Sequence, residues 1–169
     1  MKKVLLLCLV VILTISSMGC GFIDRLTLMP RKYEKDGLTI SLPGVFKENT
    51  EVEASWGYNS CYESNNIVIY TIKDSFSEKK RLEELTIDDY ASLIYKANYS
   101  KDLNGIVKID GLTTIEYEDI MKESNVTYIS FVTLFKGKDA FWIVQFMCPK
   151  EMYDTYKPDF IKWAKTVKV

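Results

Sequence analysis

The sequence predicts an α+β fold, with an antiparallel β-sheet covered by helices. Three observations carry this. Residues 128–147 hold two runs rich in β-branched and aromatic residues around the turn Lys136-Gly137-Lys138-Asp139, a hairpin signal. The first run is apolar on both faces, with Ile129, Phe131 and Phe135 on one and Tyr128, Val132 and Leu134 on the other. Such a strand belongs in the middle of a covered sheet. Residues 105–119 place Asp110-Gly111 between alternating runs, a two-residue hairpin turn. Residues 87–99 and 158–165 carry apolar side chains at helical spacing and supply the cover.

The chain has 169 residues, enough for one domain. Its apolar and charged fractions, 47% and 27%, predict an ordinary packed core. It contains no histidine, so the commonest general base and metal ligand are missing. No Ser, Cys/His or phosphate-loop motif points to an enzyme, and no basic patch points to nucleic acid. We expect a non-enzymatic protein without a cofactor.

In chain order, Met1-Lys2-Lys3 is a short positive segment, and Val4 to Ile15 forms an apolar run too short to span a bilayer comfortably. Ser16-Ser17-Met18-Gly19-Cys20 follows, with small residues typical of an export cleavage site. The stretch resembles a bacterial lipoprotein signal, although Ser17 and Met18 stand where that family favours leucine and a small residue. The resemblance implies removal of residues 1–19, a thioether-linked diacylglycerol on Cys20, and attachment to the outer side of the cell membrane. Two acyl chains make a stable anchor. An uncleaved N-terminal anchor is the other reading. Residues 20–36 read as the lipidated cysteine and a tether, with Phe22, Ile23, Leu26, Leu28 and Met29 packing on the domain or in the lipid interface.

The domain is expected to span residues 37–169. Residues 37–42 alternate, with Leu38, Ile40 and Leu42 on one face, and Pro43-Gly44 ends that strand. Trp56-Gly57-Tyr58 and residues 67–72 read as the next two strands. Residues 76–85 are highly charged and read as a solvated loop, in which Lys79-Lys80-Arg81 is a weak basic docking candidate. Thr86-Ile87-Asp88-Asp89 has capping-box spacing, so a helix is expected over 87–99 with Ile87, Tyr90, Ala91, Ile94 and Ala97 on its apolar face. That role accounts for Asp88 and Asp89 without a metal. Glu116 and Glu118 share one strand face, and cross-strand pairing or exposure accounts for them. Cys148-Pro149 ends the central strand, and Met152, Tyr153 and Tyr156 begin a helix. Pro158 predicts a break there, followed by a second helix over 158–165. Cys61 and Cys148 are a candidate disulfide on the exported side, or two buried free thiols.

Ile109-Asp110-Gly111-Leu112, the strand ending in Tyr117, the aromatic hairpin and the closing Phe160-Ile161-Lys162-Trp163-Ala164-Lys165-Thr166-Val167 together resemble the PsbP-like fold over residues 37–169. That resemblance implies an antiparallel sheet sandwiched between helices (α/β/α). The fold occurs in an extrinsic photosystem II subunit, a Ran-binding transport factor and many bacterial lipoproteins, so it implies no common chemistry. The expected function is a membrane-anchored binding or assembly accessory whose partner is an envelope protein. The alternative is a small-ligand-binding lipoprotein with an aromatic cleft drawn from Trp56, Tyr58, Tyr62, Tyr95 and Tyr99.

Overall fold

In a computed structural model the described residues are 29–98, 102–121 and 126–169. The signal region, Cys20 and Tyr99 lie outside them. Two sheets build the domain. A two-stranded hairpin joins β1 (Pro30–Lys35) to β2 (Leu38–Pro43). A seven-stranded antiparallel sheet has the order β3-β4-β5-β9-β8-β7-β6. Its strands are β3 (Lys47–Glu48), β4 (Ser60–Glu63), β5 (Val68–Ser75), β6 (Asp102–Ile109), β7 (Leu112–Met121), β8 (Val126–Lys136) and β9 (Ala140–Pro149). The helices are α1 (Thr50–Trp56), α2 (Ile87–Asn98) and α3 (Tyr153–Ala164).

The aromatic hairpin is central, as its two apolar faces require. Ile129 and Phe131 enter one core, and Val132 and Leu134 enter the other. The first core packs Phe131, Trp142, Val144 and Phe146 against Phe160 and Trp163 of α3 and against Leu38, Ile40 and Leu42 of β2. The second packs Ile115, Val132, Leu134, Phe141 and Ile143 against Tyr90, Ala91 and Ile94 of α2. Tyr90 stacks flat on Phe141, with ring centroids 4.1 Å apart, and its hydroxyl donates to Asp74 at 2.7 Å. The capping box closes at the start of α2: Asp89 N–H donates to Thr86 Oγ1 and Thr86 N–H to Asp89 Oδ2, both at 3.1 Å. Ala97 is exposed, so the buried stripe of α2 ends at Ile94.

Five expectations change. Residues 30–35 of the expected tether form β1, because Asp36-Gly37 adopts left-handed φ values of 52° and 99° and turns the chain back. The domain therefore starts before residue 37. Trp56-Gly57-Tyr58 is not a strand. Asn49 Oδ1 caps α1 by accepting from Val52 N–H at 3.1 Å, and Gly57, at φ 71°, ends it. The strand in that region is β4. Residues 76–85 are not wholly solvated, since Phe76 and Leu82 are buried against the second core, and Lys79 bonds Asp74 at 2.7 Å. Glu116 is neither exposed nor paired across strands: it is 4% exposed and accepts from Lys157 of α3. Finally, α3 runs through Pro158 without a break, since Tyr153, Phe160 and Trp163 on both sides of it pack into the same core.

Candidate functional site

Strand register assigns each residue to a face, since directly paired residues on neighbouring strands point the same way. On the face that carries α2, Tyr70 pairs with Gln145, and Ser130 pairs with both Met147 and Tyr117. Tyr128 lies two residues from Ser130 and shares its face. The second core occupies only the half of this face nearer the β8–β9 turn. The other half presents Tyr70, Tyr117, Tyr128, Gln145 and Met147, each partly exposed. Tyr58, just past α1, lays its ring on Tyr70 at a centroid distance of 4.4 Å. Gln145 Nε2 donates to Ser130 Oγ at 3.0 Å, so the polar floor between the tyrosines is fixed.

The electrostatics keep this surface neutral. Burial, and after it the neighbouring Cys61 and Tyr58, push the Tyr70 hydroxyl up to about 12. Burial, then Tyr117, also raises Tyr58. Tyr58 and Tyr70 therefore remain protonated at neutral pH and can donate hydrogen bonds while their rings offer stacking area. The arrangement is an aromatic platform with a hydrogen-bonding rim, chemically able to offer ring faces and phenol donors to a bound group.

The expected aromatic residues divide. Tyr58 belongs to the platform. Tyr62 points to the opposite core, 2% exposed and packed on Tyr33 at 4.8 Å. Trp56 is 73% exposed at the end of α1. Tyr95 packs against the second core, as the ring of Tyr117 also does at its margin. Sequence reasoning missed Tyr70, Tyr117 and Tyr128. Strand alternation held the signal, because Tyr117 stands between Glu116 and Glu118 and must face away from them.

On the opposite face, two carboxylates of β7 and one in the β6–β7 turn hold the C-terminal segment. Glu116 accepts from Lys157 at 2.8 Å, Glu118 from Lys150 at 2.6 Å, and Asp110 from Lys165 at 2.6 Å. The Tyr153 hydroxyl is buried there beside the Glu116 carboxylate, and burial first, then Glu116, pushes its pKa up. Glu53 of α1 accepts from Cys61 N–H at 2.8 Å and from Lys35 at 2.6 Å, tying the hairpin and helix to the β4 edge.

Cys61 and Cys148 are free and buried. Cys61 pairs with Tyr70 and shares its face, whereas Cys148 lies two residues from Phe146 on the opposite face. With β5 between their strands, the backbones are about 10 Å apart, beyond disulfide reach. Among the described residues, no group of acidic, Cys or His side chains could hold a metal, and no helix is long and apolar enough to cross a membrane.

No protein-family model matches this sequence, and no functionally curated protein matches it. The structure is similar to the solution structure of cyanobacterial PsbP (CyanoP) from Synechocystis sp. PCC 6803. The TM-score is 0.53 and the identity 15%, over 84% of this chain and 93% of that one. A structure from Bacteroides thetaiotaomicron matches at TM-score 0.48 and 15% identity, over 78% of this chain and 44% of that one. A protein of unknown function from Pseudomonas aeruginosa matches at 0.42 and 12%, over 81% and 94%. The likeness to CyanoP reaches the fold alone: the chain has a PsbP-like α+β fold, with antiparallel sheets and a few helices.

Proposed function

We propose that this is an exported lipoprotein, held to the extracytoplasmic face of the cell membrane by a diacylglycerol on Cys20. Its domain acts there as a non-catalytic binding or assembly accessory. The observation that carries the anchor is the positive segment, apolar run and Gly19-Cys20. The start of β1 at Pro30 supports it, because only a short tether then separates domain and lipid. The platform of Tyr58, Tyr70, Tyr117 and Tyr128 supports a binding role, since partly exposed aromatic side chains are favoured at interfaces.

In-cell crosslinking of the tagged protein, with mass spectrometry of what it captures, tests the assembly reading. The expected result is one discrete envelope protein, captured with the native chain and lost with both Cys20→Ala and Tyr70→Ala/Tyr117→Ala. Capture unaffected by either variant counts against the reading. The second reading, a small ligand stacked on the same tyrosines, is favoured by the Tyr58–Tyr70 ring contact, 4.4 Å between centroids and tilted by 31°. It predicts a thermal shift with a sugar, peptide or lipid in a panel, abolished by Tyr58→Ala, and the absence of any shift counts against it.

A further inference from the structure

We infer that the end of the domain bearing Met29 and Val45 rests on an anionic bilayer surface, so that lipid and protein surface hold the membrane together. This rests on the lipoprotein reading above and deepens it by naming the face that meets the membrane.

Eight residues lie between Cys20 and Met29, a reach of at most about 30 Å. The domain is therefore delivered to the bilayer by the end at which β1 starts. That end has its own apolar contact. Met29 is 58% exposed and Val45 41% exposed, and Gly44 N–H donates to Met29 C=O at 3.0 Å, which brings the two segments together. Among the described residues, the other large exposed apolar side chains, Trp56, Leu93, Ile106 and Val169, stand on separate elements.

The charge fits as well. Arg31 and Lys47 are exposed, lie two residues from Met29 and Val45 respectively, and enter no ion pair among the described residues. The rest of the exported chain is mildly acidic, so a local basic pair beside two exposed apolar side chains selects anionic lipid over a neutral surface. Lys32 is engaged by Glu34, and Glu63 lies opposite Lys47 in register without bonding it. The opposite end of the domain is well separated. Val169 there lies beside Gly137, in the β8–β9 turn.

The lipidated chain, isolated from membranes and reconstituted into phosphatidylglycerol–phosphatidylcholine vesicles, tests this. An environment-sensitive fluorophore is placed on Val45→Cys and, separately, on Val169→Cys; the two native thiols of the domain are buried. The expected result is a blue shift at position 45 on vesicles and none at position 169. Met29→Cys repeats the test at a second site on the same end. Arg31→Gln and Lys47→Gln should each lower the membrane-contacting population about fivefold while the protein stays on the vesicles through its lipid. Equal, solvent-like emission at positions 45 and 169 on protein shown to be lipidated overturns the inference and leaves the anchor standing. A chain recovered without fatty acid on Cys20 overturns the lipoprotein reading and this inference with it.

Discussion

Burial governs the two cysteines of the domain. It pushes the Cys61 thiol up to about 12, with Glu63 and then Glu53 adding to it, and the Cys148 thiol up to about 11. Burial disfavours the charged form, so both stay as neutral thiols at physiological pH, and the thiolate is the reactive species. We predict that a thiol reagent at pH 8 leaves both untouched in the folded protein. Both should titrate after denaturation without reductant. Denatured protein with no free thiol would show that the two are bonded after all. Sequence left this pair open for a physical reason. Two cysteines on the expected exported side would satisfy the chemistry of a disulfide, but only the strand register places their side chains on opposite faces of the sheet. The same limit explains Glu116. Its alternation with Tyr117 gave its face, and nothing local revealed that a helix 41 residues away brings Lys157 onto it.

At the scale of elements, turn and cap chemistry was the most legible information, because those signals are local. Asp110-Gly111 has the left-handed pair that a tight hairpin needs, with φ 52° and 85°. Asp36-Gly37 is built the same way, yet the strand before it, Pro-Arg-Lys-Tyr-Glu-Lys, is charged enough to read as a tether. It becomes a strand because Tyr33 packs on Tyr62 and donates to Phe46 C=O at 2.8 Å, both long-range contacts. Helix α3 shows tertiary packing overriding a local breaker. Pro158 lacks the N–H that would bond Asp154 C=O, and a proline inside a helix is costly. Pro158→Ala should therefore stabilise the domain by about 1–3 kcal/mol in a denaturant titration. A neutral result would indicate that the chain breaks there. The lysines that hold the C-terminal segment should separate by burial of their partners. Lys157→Met leaves Glu116 buried and unpaired and should cost about 1–3 kcal/mol. Lys165→Met removes an exposed pair with Asp110 and should cost less than about 1 kcal/mol. Equal costs would mean that Glu116 finds another partner.

At the scale of the molecule, the sheet is covered unevenly. One face is closed by α3 and the β1–β2 hairpin. The other is closed by α2 over only half its length, and the tyrosine platform occupies the remainder. The sheet edges among the described residues are restrained against pairing with another chain. On one side β3 is two residues long and Glu53 binds the β4 backbone; on the other, the register of β6 shifts between Asp102 and Ile106, with Gly105 at φ 71°. The fold class was legible because hairpins and a doubly apolar strand constrain the whole sheet. The platform was not, since it assembles residues from β5, β7, β8 and the loop after α1, and a one-dimensional pattern does not show which half of a face a helix leaves open. The proposed anchor is the reverse case, since the pattern that suggests it is confined to the first 20 residues and independent of the fold. The most direct measurement for the account is therefore incorporation of a radioactive fatty acid into the native chain and into Cys20→Ala in living cells. The account predicts label on the native protein in the membrane fraction, and none on the variant. Label retained by Cys20→Ala, or absent from the native protein, would contradict it.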